Sequence, residues 1–193
     1  MEVPAAATAD VPFSDRLDGA VWRGAPSGGR SEHSLRGKVV AYCRGRPWAD
    51  AAFVEEHNRL SRDAQARYKV LLLIDGNAWA SSWEWALASG SVCIWIGVWW
   101  LHLHTELVPW PEPGAHYVPA ATDLSDLEER VQWVLGHPEE SAAIAQRAKQ
   151  LFNRVASPEY TRSYIADMCL KVATADASAR EDRCCQPAMV SPN

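Results

Sequence analysis

The sequence predicts an α/β fold, a Rossmann-like parallel sheet with flanking helices. Two aliphatic runs, residues 70–74 (VLLLI) and 92–96 (VCIWI), are short and continuous, which is typical of strands buried on both faces of a parallel sheet. Between them lie the turn signal Asp-Gly-Asn and a segment of helical character over residues 79–89. Strand, turn, helix and strand in this order form a βαβ crossover.

The composition is that of one globular domain. The 193 residues are 48% hydrophobic and 22% charged, and no long apolar run suggests a membrane span. The formal net charge of -5 argues against a nucleic-acid partner, because a phosphate-reading surface is usually basic. The 5 cysteines include no CxxC pair, and His102 and His104 lack a nearby carboxylate or cysteine, so we predict no metal site.

Local signals place the first elements. Residues 1–18 are rich in alanine and proline, and we predict a disordered lead-in. A short strand is predicted over residues 20–23. A helix is predicted over residues 35–45, with Ser31 or Ser34 as its cap.

The middle of the chain continues the alternation. Residues 49–67 are predicted to form a helix, because several side chains recur on one helical face. That face holds Phe53, Val54, His57 and Leu60. Residues 116–120 (HYVPA) predict a further short strand, and residues 123–136 a helix capped by Asp123 or Ser125.

The carboxyl-terminal part is predicted to be helical. One helix should start at Pro138, since proline is favoured in the first turn, and a last helix should cover residues 158–175. Residues 176–193 are predicted to form a disordered tail. The ordered domain is therefore expected to span residues 19–175.

Two loops are candidates for a ligand site, because ligands of open α/β sheets bind where the strands' carboxyl ends open into loops. The first, residues 24–34, is flanked by Arg23 and Arg36 and contains Arg30. Its small residues are Ala25, Ser27, Gly28 and Gly29. Small residues let a backbone approach an anion, and guanidinium groups bind phosphate oxygens as a fork. A phosphate site and a solvated basic loop both fit this pattern.

The second loop, residues 75–82 (DGNAWASS), has no basic residue of its own. Its small side chains leave room for a ligand beside the start of a helix, where a negative group is favoured. Asp75 fits a second interpretation, in which its carboxylate accepts hydrogen bonds from the backbone of its own turn.

Five stretches of the sequence resemble successive blocks of glycosyltransferase family 90, which includes protein O-glucosyltransferases and capsule-associated xylosyltransferases. They are AVWRGAPSGGR, YKVLLLIDGNAWASSWEWALASGSVCIW, ELVPW, HYVPAATDLSDLEERVQWVLGHPEESAAIAQRAKQLF and YTRSYIADMCL. The resemblance runs in order from about Asp15 to Val172. It implies a GT-B architecture of two Rossmann-like halves, of which this chain resembles the carboxyl-terminal, donor-binding half.

The resemblance also implies an activity. A sugar would pass from UDP-glucose or UDP-xylose to a protein or glycan hydroxyl, without a cofactor or metal, in the lumen of the endoplasmic reticulum or Golgi. It places donor contacts at Ala25, Arg30 and residues 77–82. With the two strand ends, the predicted donor-binding set is Arg23, Gly24, Ala25, Arg30, Asp75, Gly76, Asn77, Ala78, Trp79, Ala80, Ser81 and Ser82.

Two departures from the family pattern bear on activity. Many members carry an arginine at the position of Ser82, and the loss of one charge-assisted bond weakens binding by about 1.5 to 3 kcal/mol. The family's aspartate base lies upstream of the Trp-Arg-Gly turn, where this sequence has residues 1–21, and no residue here can be assigned that role. The resemblance implies a glycosyltransferase domain that is incomplete. The alternative is an inactive nucleotide-sugar-binding module or a truncated gene product.

Overall fold

The computed structural model describes residues 11–78, 80–98 and 106–184, with the backbone alone described over 175–184. Trp79, His102 and His104 lie outside these ranges. The chain divides into two compact units, Met1–Asn153 and Arg154–Asn193.

A five-stranded parallel sheet organises the first unit. Its strands are β1 (Leu17–Gly24), β2 (Ala49–Phe53), β3 (Tyr68–Ile74), β4 (Val92–Ile96) and β5 (Val118–Ala120). Their order in space is β2-β1-β3-β4-β5, and every neighbouring pair is parallel. The predicted α/β class and the Rossmann-like parallel sheet are confirmed.

Helices flank the sheet in the first unit, and the second unit is helical. They are α1 (Leu35–Cys43), α2 (Arg62–Gln65), α3 (Trp83–Ala88), α4 (Leu127–Gly136), α5 (Pro138–Val155) and α6 (Pro158–Cys184). Single 3-10 turns occur at Phe13–Asp15 and Glu56–Asn58. No helix in the described part of the chain has both the length and the apolar composition that crossing a membrane requires.

Several local predictions are confirmed. The aliphatic runs lie in β3 and β4, and their side chains are buried. Of the two caps proposed for α1, Ser34 is the right one, because its Oγ accepts a hydrogen bond of 3.0 Å from the amide of Gly37. Helix α5 begins at Pro138, as predicted.

The helix predicted over residues 49–67 is wrong. This stretch holds β2, a 3-10 turn and the one-turn helix α2. β2 pairs with β1 along its length, with Ala49 opposite Ala20 and Phe53 opposite Gly24. Helical preference is worth only tenths of a kcal/mol per residue, roughly, so the backbone pairing at the sheet edge overrides it.

The predicted caps of α4 are also wrong. The helix starts at Leu127, and its N-cap position is Asp126. The Oδ1 atom of Asp123 instead accepts hydrogen bonds from the amide and the hydroxyl of Ser125, at 3.0 and 2.7 Å. Asp123 therefore closes a turn of its own before the helix begins.

The two ranges predicted to be disordered are described in part. Within residues 11–18 lie the 3-10 turn Phe13–Asp15 and the start of β1. Helix α6 of the second unit continues to Cys184 and exposes several apolar side chains. These are Ile165, Met168, Leu170 and Val172.

Strand alternation sends neighbouring β1 side chains to opposite faces of the sheet. Trp22 joins a core that β3 shares with Val39 of α1 and Val131 of α4. Arg23 follows in sequence and points to the other face. The end of β1 therefore carries Trp22 on one face of the sheet and Arg23 on the other.

The strand order reverses between β1 and β3. The chain leaves β1 for β2 at one edge and then returns to β3 on the other side of β1. In open α/β sheets the loops at such a point diverge and leave a crevice at the carboxyl ends of the strands. This reversal brings together the two loops singled out in the sequence.

The opposite end of the same strands holds a buried cation, Arg16. Its guanidinium donates to the carbonyl oxygens of Ala66 and Ser89 at 2.5 and 3.0 Å, and to the hydroxyl of Ser91 at 2.8 Å. It also reaches the carbonyl of Val11. Burial lowers the pKa of Arg16. This one side chain ties the start of β1 to the segments that lead into β3 and β4.

Candidate functional site

A cleft of about 460 Å³ opens between the loops that follow β1 and β3. It is lined by Trp22, Arg23, Gly24, Ala25, Ser27, Arg36, Arg62, Gly76, Asn77, Ala78, Ser81, Ser82 and Trp85. The cleft thus lies where the strand order reverses, which is the usual ligand position in this class of sheet.

The two loops meet at Gly76. A Cβ atom added there would lie 2.9 Å from the Cβ of Ser27 and 3.1 Å from the Cζ of Arg36. On the facing loop, Gly28 has a φ of 81°, which favours glycine, and its space is bounded by the side-chain oxygen of Asn77. The narrow approach of the two backbones therefore depends on glycine at these positions.

Arg36, on α1, clamps the two loops together. Its Nε and Nη2 donate to the carbonyl oxygen of Ile74 at 3.2 and 3.1 Å. Its Nη1 donates to the carbonyl of Ala25 at 2.8 Å and to the hydroxyl of Ser27 at 2.6 Å. Burial lowers the pKa of Arg36, and the charge of Asp75 opposes that shift. Arg36 brings positive charge to the cleft, but most of its N–H donors are already used.

Arg23, the last charged residue of β1, is held by protein acceptors as well. Its Nη2 pairs with Oδ1 of Asp50 at 2.7 Å, and its side chain is only 8% exposed. The other guanidinium nitrogens donate to the carbonyls of Asn58, Trp22 and Asp50. Arg23 lines the cleft and fixes the end of β1 against β2.

Arg30 is not among the residues that line the cleft. Its Nη1 pairs with Oε1 of Glu55 at 3.1 Å, and its Cζ lies 5.2 Å from the centroid of the Phe53 ring. More than half of the Arg30 side chain is exposed. The structure thus places this predicted donor contact beside the end of β2.

Asp75 supports the second loop from beneath. It is buried, and its carboxylate accepts hydrogen bonds from the indole of Trp95 at 3.3 Å and the amide of Val98 at 3.1 Å. Burial raises the pKa of Asp75, while bonds from Trp95, Val98 and Ala80 and the charge of Arg36 act in the opposite direction. Asp75 and Ala80 are buried and do not line the cleft.

The remaining predicted residues of the second loop form a cleft wall. Asn77, Ala78 and Ser81 are exposed there, and Ser82 is half-buried just before α3. Trp79, predicted to contact the donor, lies outside the described residues. The predicted set is therefore brought together at one cleft except for Arg30, Asp75, Ala80 and the undescribed Trp79.

Three cleft residues were not predicted, namely Trp22, Trp85 and Arg62. Trp85 lies four residues after Ser81 in the helix predicted over residues 79–89, and that spacing is a signal that could have identified it. Arg62 lies far along the chain from either loop, at the start of α2, and no sequence pattern connects it to them.

The side chains that line the cleft are of types that suit an anion. Its described residues include arginines, hydroxyls, an amide and small side chains, but no carboxylate or imidazole. Guanidinium groups and close-lying backbone suit a phosphate group. A general base for an acceptor hydroxyl is not present in this lining.

Comparison with known proteins gives a consistent result. The model of the family described as Glycosyl transferase family 90 matches residues 2–175. The O-glucosyltransferase LpsA of Dichelobacter nodosus is 26% identical over 161 residues, which cover 77% of this chain and 47% of LpsA. Protein O-glucosyltransferase 2 of Danio rerio is 36% identical over 85 residues, 44% of this chain and 16% of that protein.

Protein O-glucosyltransferase 1 of Homo sapiens is 29% identical over 107 residues, which cover 55% of this chain and 24% of that protein. The chain therefore spans half the length, or less, of these curated relatives.

Proposed function

The chain belongs to glycosyl transferase family 90, and from this premise we propose that its cleft binds the diphosphate of a UDP-sugar. The observation that carries the proposal is the meeting of the two loops at Gly76, where small side chains on one wall face guanidinium groups on the other. A diphosphate needs close backbone approach and nearby positive charge, and this cleft offers both.

The proposed role in catalysis is stabilisation of the leaving group. When the bond between the anomeric carbon and the UDP oxygen breaks, negative charge develops on the diphosphate. Cations that are already fixed in place stabilise that charge without having to reorganise. Arg36 and Arg23 are held by backbone carbonyls and by Asp50, so their positive charge is preorganised in this sense.

The relatives support a choice of sugar. The bacterial and animal relatives are named as O-glucosyltransferases. We therefore propose UDP-glucose as the donor, ahead of UDP-xylose, and a protein or glycan hydroxyl as the acceptor. The endoplasmic reticulum or Golgi lumen remains the compartment that the family resemblance implies.

A second candidate function is nucleotide-sugar binding without transfer. The observation in its favour is the cleft lining, whose described residues offer no carboxylate or imidazole to deprotonate an acceptor. In this case the protein would bind the donor, and transfer would need groups outside the residues that line the cleft.

Calorimetric titration tests the donor site. We expect UDP and UDP-glucose to bind the full chain, and uridine to bind far more weakly because it lacks the diphosphate. Titration with ADP, compared with UDP, tests whether the site distinguishes uracil from adenine. Absence of heat with millimolar UDP and UDP-glucose would contradict the proposal.

A UDP-release assay separates the two functions. Release of UDP from UDP-glucose in the presence of acceptor peptides or glycans would support transfer. Binding without release would support the second candidate.

A further inference from the structure

The arginines around the cleft differ in what their donors already bind. Arg23 is paired with Asp50 and with three backbone carbonyls. Most N–H donors of Arg36 already bind Ile74, Ala25 and Ser27. A guanidinium group needs two free N–H donors on one edge to hold a phosphate bidentately. Neither arginine offers a free edge of this kind.

Arg62 differs from both. It is the first residue of α2, its side chain is exposed, and it lines the cleft. Within the described part of the chain, its guanidinium takes part in no ion pair and no side-chain hydrogen bond. The backbone that carries it is nevertheless fixed, because Oγ of Ser61 accepts a hydrogen bond of 3.0 Å from the amide of Ala64.

The wall formed by the second loop has small side chains, which leave space for a ligand in the cleft that Arg62 also lines. Ser81 and Ser82 are small, and Ala78 adds only a methyl group. No acidic side chain lines the cleft among its described residues, so nothing there competes with a ligand anion for Arg62.

We propose that Arg62 binds the ligand's diphosphate directly, while Arg23 and Arg36 position the cleft walls. This inference rests on the proposed function and assigns the diphosphate contact to a residue outside both loops. A guanidinium with all its donors available can grip two phosphate oxygens at once. The clamped arginines then supply charge and geometry.

The test compares Arg62→Gln with Arg59→Gln. Each removes one positive charge from the same segment, but Arg59 is exposed and does not line the cleft. UDP and uridine are titrated into the full chain by calorimetry at low salt, and thermal unfolding checks that both variants are folded.

We expect Arg62→Gln to weaken UDP binding about 10-fold or more, as loss of a charge-assisted bond does, without changing uridine binding. Arg59→Gln should leave both affinities unchanged. The salt dependence of UDP binding should be shallower in Arg62→Gln than in the wild type, because one cation no longer contributes.

Other outcomes are distinguishable. Wild-type UDP affinity in Arg62→Gln would overturn the assignment of Arg62 and leave the donor site standing. An equal loss for UDP and uridine, or the same loss in Arg59→Gln, would also overturn it. If the wild type itself binds no UDP, the proposed function fails together with this inference.

Discussion

Arginines at the two ends of the parallel sheet differ in burial and in hydrogen bonding. At the amino ends of the strands, Arg16 is buried and bonded to four protein oxygens. At the carboxyl ends, Arg62 lines an open cleft and has no partner among the described side chains. The same residue type thus holds the fold together at one end and remains available to a ligand at the other.

Burial and the number of protein acceptors distinguish structural arginines from ligand-binding ones. Burying a guanidinium is costly unless its donors are satisfied, so a buried arginine with several acceptors is part of the fold. An exposed arginine beside a cleft keeps its hydration until a ligand replaces the water. Arg36 lies between these extremes, since it joins the loops and still reaches the cleft.

The largest effect is expected from Arg16→Met. The carbonyls of Ala66 and Ser89 would lose their guanidinium donor in a buried site, and the free energy of unfolding should fall by about 3 kcal/mol. Urea denaturation measures this loss, with the exposed Arg67→Met as control. A loss no larger than that of the control would break the contrast between the two ends.

Gly76→Val tests the carboxyl end. Its Cβ would meet Ser27 and Arg36, so the walls must separate, and we expect about 1 to 3 kcal/mol of lost stability from overpacking together with weaker UDP binding. The control is Gly136→Val, because an added Cβ there has no neighbour within 4 Å. Unchanged UDP affinity in Gly76→Val would mean that the loops need not touch.

Asp75→Asn tests the carboxyl end of the sheet through the pH dependence of the free energy of unfolding. Burial raises the pKa of Asp75 above its ordinary value of 3.8, so the folded protein keeps this proton where the unfolded chain has lost it. The resulting stabilisation is complete below that value and is lost as the pH rises through the folded-state pKa.

The difference in unfolding free energy between the wild type and Asp75→Asn should therefore shrink from acid to neutral pH. Chemical denaturation at a series of pH values measures it, and Asp63→Asn controls for the loss of one exposed negative charge. A difference that grows with pH would show that the charged carboxylate is the favoured form in the fold.

The smallest effect is expected from Arg30→Ala. Its pair with Glu55 is exposed and screened by solvent, so stability should change by less than about 1 kcal/mol. UDP affinity should stay within about threefold of the wild type, since Arg30 does not line the cleft. A loss of UDP affinity comparable to that of Arg62→Gln would show that Arg30 contributes to the binding site.

The sheet could be predicted from the sequence where burial is uniform. Residues 70–74 and 92–96 are continuously apolar because both faces are covered, and that pattern identifies strands without further information. Residues 49–53 carry no such pattern. They lie at the sheet edge with half-buried side chains, and only pairing with β1 makes them a strand.

The site could be predicted only as two loops. Small residues mark the places where backbones approach closely, and these were recognised at Gly76 and in the first loop. The role of each arginine could not be predicted, because it depends on partners distant in sequence: Asp50 for Arg23, Glu55 for Arg30 and Ile74 for Arg36. Arg62 could not be predicted because it belongs to neither loop, and only the fold brings it to the cleft.

The clamp made by Arg36 has an evolutionary consequence. Three of its four bonds end on main-chain carbonyl oxygens, of Ala25 and Ile74, which every residue type possesses. Mutations that exchange the side chains of Ala25 or Ile74 therefore leave these acceptor atoms in place. The ligand preference of the cleft can therefore change by single substitutions while the Arg36 bonds to these two carbonyls are retained.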